Sequence, residues 1–105
     1  MIDQTSRWFN EDNPNWSPDD DVNAAFLQIN QDLANQKLRT RGHLLLNEVY
    51  EALGFEASAP ASVLGWSQQV NNDTFVEFDF IRMEAGFAID FNVDGVVFHE
   101  IGRKP

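Results

Sequence analysis

Thr74-Phe75-Val76-Glu77-Phe78-Asp79-Phe80 and Phe87-Ala88-Ile89-Asp90-Phe91-Asn92-Val93-Asp94-Gly95 are the two stretches on which the fold turns. Both alternate apolar and polar residues, and side chains of a strand point to opposite faces with period two. Val76, Phe78 and Phe80 therefore share one face, with Glu77 and Asp79 on the other. In the second stretch Phe87, Ile89, Phe91 and Val93 oppose Ala88, Asp90, Asn92 and Asp94. Paired with each other, the two strands make a sheet with one apolar face and one face carrying four carboxylates and an amide. Like charges across a strand pair repel, so such a face calls for water, a cation or a basic partner.

Upstream, the period changes. Ser17-Pro18-Asp19-Asp20 opens a helix: a hydroxyl to cap, a proline for the first turn, and acids for the positive end of the helix dipole. Val22, Ala25, Phe26, Ile29 and Leu33 then recur at helical spacing as an apolar stripe. Lys37, Arg39 and Arg41 suit the negative end, and Gly42 is a stop. A second helix carries Leu46, Val49, Tyr50 and Leu53 on one face and ends at Gly54. Residues 57–62 read as a linker. Trp66 to Val70 reads as a first strand, followed by the Asn71-Asn72-Asp73 turn, and Asp94-Gly95 as a further tight turn. Val96, Val97, Phe98 and Ile101 read as a short last strand or tail.

The expected fold is α+β: two N-terminal helices packed on a small antiparallel sheet of three to four strands. Residues 1–18, with Trp8, Phe9 and Trp16 among polar neighbours, form an N-terminal arm, and residues 19–105 form a single domain. The expected core joins Val76, Phe78, Ile89 and Phe91 of the sheet to Phe26, Ile29, Val49 and Leu53 of the helices.

Composition narrows the function. The net charge of −10 argues against direct binding to nucleic-acid phosphates and favours basic partners. The absence of cysteine excludes disulfides and thiolate metal sites. No apolar run reaches the roughly 20 residues of a membrane span, and the polar N-terminus does not read as a signal peptide.

Three chemistries compete for the acids. Asp90-x-Asn92-x-Asp94-Gly95 matches the first half of a calcium loop, but the twelfth position is Ile101 instead of Glu, and Glu100 falls one residue short. Paired carboxylates could serve acid–base catalysis, yet nothing in the pattern sets one acid apart from another. His43 and His99 join no nucleophile arrangement. Protein binding is the leading reading, with no catalytic residue and no cofactor, and a calcium-binding domain is the weaker alternative. Glu77, Asp79, Asp90, Asn92 and Asp94 form the partner-binding face, and Trp8, Phe9 and Trp16 are secondary candidates.

The run Arg41-Gly42-His43-Leu44-Leu45-Leu46-Asn47-Glu48-Val49-Tyr50-Glu51-Ala52-Leu53-Gly54 resembles a block of an uncharacterised family of phage and prophage proteins. So do Ser6-Arg7-Trp8-Phe9, Val63-Leu64-Gly65-Trp66, Phe75-Val76-Glu77-Phe78 and Asp90-Phe91-Asn92-Val93-Asp94-Gly95-Val96, in the same order. The resemblance implies phage origin and a C-terminal module, since those proteins carry a hydrophobic, membrane-associated region ahead of this domain. That region has no counterpart here, so no membrane role is expected. Two functions follow. One is an inhibitor in the cytoplasm of an infected host cell, presenting a phosphate-like carboxylate face to a host nuclease or defence effector. The other is a virion or assembly component that binds another phage structural protein.

Overall fold

The computed structural model describes residues 5–97. In chain order they form β1 (Arg7–Phe9), α1 (Asp20–Arg41), β2 (His43–Leu45), α2 (Leu46–Leu53), a 3-10 turn (Pro60–Ser62), β3 (Leu64–Ser67), β4 (Phe78–Met83), β5 (Gly86–Phe91) and β6 (Gly95–Val96). The strands make two three-stranded antiparallel sheets, ordered β1-β5-β4 and β2-β3-β6. This overturns the expectation of two N-terminal helices on one sheet. A strand precedes α1, another separates the helices, and the strand around Trp66 joins a sheet of its own. Glycine makes that second sheet feasible. A Cβ on Gly65 would lie 2.1 Å from the Leu44 carbonyl oxygen, so only glycine lets β3 close on β2.

The helix punctuation follows the sequence. Asp19 caps α1, its carboxylate accepting from the Asp21 N–H at 2.9 Å. Gly42 ends the helix in the left-handed region at φ 83°, donating its N–H to the Leu38 carbonyl at 2.7 Å. The expected cap, Ser17, lies two residues before the actual one: its hydroxyl accepts from the Asp19 N–H, and Pro18 precedes the helix instead of entering its first turn. In α2, Glu48 folds back to accept from the Leu45 N–H at 2.9 Å, and Leu46, Val49, Tyr50 and Leu53 are all buried.

The stripe expected of α1 is corrected. Val22, Ile29 and Leu33 are 51%, 57% and 49% exposed, and the side that faces the core is Asn23, Leu27, Ala34 and Leu38. α1 is apolar on two opposite sides, and periodicity does not choose between them. Asn23 helps decide. Its amide takes both the N–H and the carbonyl of Ser17, at 2.9 and 2.8 Å, and this fastens the buried side to the arm. Phe26 is half-buried, its ring stacked on Phe9 at 5.5 Å, and Ile29 is not in the core.

The sheet half of the expected core holds: Val76, Phe78, Ile89 and Phe91 are buried. The first acidic stretch is a strand only from Phe78 onward. Before it, side-chain amides stand in for a neighbouring strand. Asn35 of α1 accepts from the Val76 N–H and donates to its carbonyl, at 2.7 and 2.8 Å. One turn earlier, Gln31 accepts from the Phe78 N–H at 2.8 Å. A buried backbone needs these partners.

The arm is woven into the structure. β1 lies along β5 with Phe9 opposite Phe87, and Phe9 is fully buried. Asn13 donates to the last α2 carbonyl, Leu53, at 2.9 Å, and the Tyr50 hydroxyl donates to the Thr5 carbonyl at 2.5 Å. Asp94-Gly95 is not a hairpin turn, because β5 and β6 belong to different sheets. Of the last expected strand, Phe98 and Ile101 lie outside the described residues.

Candidate functional site

The open face of the β1-β5-β4 sheet is set by register. Asp79 lies opposite Asp90, Ile81 opposite Ala88, and Met83 opposite Gly86, while Trp8 lies across from Ala88 on the other side of β5. Residues opposite each other in a ladder share a face. That face therefore has two halves. At one end stand Asp79 and Asp90, both exposed, with Glu77 exposed just before β4. At the other end Trp8, Ile81 and Met83 are 40%, 60% and 46% exposed. The far side of the same strands is core: Phe78, Phe87, Ile89 and Phe91 are buried, and Phe80 packs edge-on to Phe87 at 5.9 Å.

The expected acidic face is thus only partly assembled. Directly opposed side chains have Cβ atoms about 5 Å apart, close enough for two carboxylates to repel. The Ser6 hydroxyl donates a hydrogen bond to the Asp90 carboxylate. Asn92 and Asp94 are turned to structural work. The Asn92 side-chain oxygen accepts from the Trp66 indole N–H at 3.1 Å and from the Glu77 N–H at 2.8 Å, and its amide donates to the Phe75 carbonyl at 2.9 Å. The Asp94 carboxylate accepts from the Ser67 N–H at 3.2 Å, tying β3 to the chain entering β6. The three residues of the half calcium motif therefore bond in three directions; its continuation at Glu100 and Ile101 lies outside the described residues, as does His99.

Among the aromatic candidates, Phe9 presents no surface. Trp16 is half-buried, packing edge-on to Phe9 and Phe87 at 5.5 and 6.3 Å. Trp8 alone stands on the open face. Ile81 and Met83 were not among the candidates, although the signal was present. The alternation that puts Glu77 and Asp79 outward continues through Ile81 and Met83 for three residues past Phe80.

Away from this face, a concavity of about 330 Å³ lies between α1, α2 and the start of β4. Leu33, Ala34, Leu44, Val49, Leu53 and Phe78 line it, and Lys37 and Glu48 are the charged groups at its wall. Glu48 is committed elsewhere. Burial would raise its pKa, but the hydrogen bonds from Arg41 and from the Leu45 N–H, with the charges of Arg41 and Lys37, outweigh burial and hold it below the usual carboxylate range. Arg41 meets it with two N–H groups, at 2.7 and 3.0 Å, and that bond raises the guanidinium's own pKa. Glu48 is therefore engaged as the ion-pair partner of Arg41, joining the end of α1 to the start of α2.

A model of a family of unknown function, DUF6353, matches residues 2–100. The chain belongs to that family. No curated protein and no solved structure matches it. No helix among the described residues is long and apolar enough to cross a membrane.

Proposed function

We propose that this member of DUF6353 is a phage-type protein-binding module that acts by occupation and not by turnover. The carrying observation is the two-part open face: Asp79 beside Asp90 at one end, and Trp8, Ile81 and Met83 at the other. Carboxylates held on paired strands are already ordered, so little side-chain entropy is lost when a cation docks. Exposed apolar groups gathered on one face, bordered by charge, favour a protein contact over plain solvation. The partner is a protein surface that sets Lys or Arg beside apolar side chains. In an infected cell this fits a host nuclease or defence effector, blocked through its basic groove. The apolar half favours a second reading, an assembly contact with another phage structural protein.

Salt and two variants separate these readings. Capture from infected lysate uses the wild-type chain, Glu77→Gln/Asp79→Asn/Asp90→Asn, and Ile81→Ser/Met83→Ser. For an inhibitor held by charge, the first variant abolishes capture and salt weakens the wild type steeply. For an assembly contact, the second variant abolishes capture and salt matters little. Partners retained equally by both variants would sink the open-face proposal.

A further inference from the structure

The exposed row of α1 is a different surface with a different logic. A helix of 22 residues, about 33 Å long, buries Leu27, Ala34 and Leu38 on one side and leaves Val22, Ala25, Ile29 and Leu33 exposed on the opposite side. An apolar stripe on a soluble helix ordinarily faces a packing partner, and no described element lies over Ile29, which is 57% exposed. We infer that the occupant is a second copy of this chain, with the two α1 helices antiparallel about a two-fold axis beside Ile29.

Charge complementarity along the helix points to self-association. Acids lie in the first turn and bases in the last: Asp20 and Asp21 at one end, Arg39 and Arg41 at the other. Asp20 is held by Arg82 at 2.9 Å, and Arg41 by Glu48 at 2.7 Å. Asp21 and Arg39 have no ion pair among the described residues and are about five turns apart, so they lie on the same flank of the exposed stripe. A two-fold beside Ile29 brings Arg39 of the second copy within about 3 Å, along the axis, of the level of Asp21. Two-fold symmetry makes that pair twice. A parallel arrangement would instead set like charges together. The same antiparallel register puts the exposed Leu33 against Ala25 of the second copy, a large side chain facing a small one.

The test is the oligomeric state of the intact chain by sedimentation equilibrium. The wild type should dimerise at about 100 µM. A chain that stays monomeric to roughly 1 mM would overturn the inference. Ile29→Glu should be monomeric with an unchanged thermal midpoint for the dilute chain; an intact dimer would show that another surface pairs. Asp21→Arg and Arg39→Asp should each weaken the dimer by at least about tenfold at low salt. Mixed in equal amounts, they should form a heterodimer, because each supplies the charge the other needs. Failure of the mixture to pair would exclude the antiparallel register. Ile29→Cys, in a chain that has no other cysteine, should give one covalent dimer on mild oxidation. The absence of that product, with the dimer still present, would place the axis elsewhere.

Discussion

The two helices teach opposite lessons. α2 has eight residues and one apolar face, and that face is buried: Leu46, Val49, Tyr50 and Leu53. α1 has 22 residues and two apolar sides, and the richer one, with Val22, Ile29 and Leu33, faces out. Hydrophobic periodicity measures how well a stripe could be buried. It does not say which stripe meets the sheet when a helix offers two. In α1 the choice follows side-chain amides on the inner side. Asn23 holds Ser17, while Gln31 and Asn35 hold the backbone of residues 76 and 78. A buried amide with its bonds made is stabilising, and one without them is costly, so hydrogen bonding overrides the apolar count.

Breaking the α2 side should have the largest effect. Phe91 packs edge-on to Tyr50 of α2 at 5.5 Å and to Phe78 at 5.4 Å. Phe91→Ala should cost roughly 3–5 kcal/mol in urea unfolding. A loss under about 1 kcal/mol would mean that the assigned faces of β5 are inverted.

The next contrast lies within α1. Leu38→Ala, on the inner side, should cost roughly 2–5 kcal/mol, whereas Ile29→Ala should change the stability of the dilute chain by less than about 0.5 kcal/mol. Equal losses would show that both sides of the helix are packed.

Asn35→Ala tests whether amides choose the inner side. It removes both hydrogen bonds to Val76 and leaves that backbone unsatisfied, so it should cost about 1–3 kcal/mol. Amide hydrogen exchange should rise first at residues 76–78. A uniform change across the domain would argue that Asn35 only fills space.

The smallest effect expected is at Glu48, which joins the end of α1 to the start of α2. Its pKa is lowered on folding, so the unfolded chain binds the proton more tightly. Its contribution is fully present above the ordinary carboxylate range and is lost as pH falls through the folded value. Both partners are part-exposed, at 38% and 31% for the Arg41 and Glu48 side chains, so the ion pair contributes at most about 1 kcal/mol. Glu48→Gln should therefore lower stability slightly at pH 7 and converge with the wild type in acid. A difference that persists below about pH 3 would mean that the carboxylate's shape, not its charge, matters.

The open sheet face shows how a site can be half legible. Strand parity placed Asp79 and Asp90 on one face, and they are cross-strand neighbours. Parity also placed Asn92 and Asp94 there, but both lie past the end of β5, where alternation no longer governs direction. Their oxygens accept instead from Trp66, Glu77 and Ser67. Trp8 reached the face by a route no local pattern could show, because β1 pairs with a strand some eighty residues downstream.

By itself the sequence determined the local features: where α1 and α2 begin and stop, the inner face of β5, and the excess of acid. These depend on capping side chains, glycines and alternation within a few residues, where the responsible atoms are neighbours in the chain. Only the tertiary structure decided which side of α1 is buried, that the strands divide into two sheets, and that an N-terminal strand closes one of them. Those outcomes depend on contacts between residues far apart in sequence: Asn35 with Val76, Gly65 with Leu44, Phe9 with Phe87. Their free energies compare whole arrangements of the chain, and no single segment encodes that comparison.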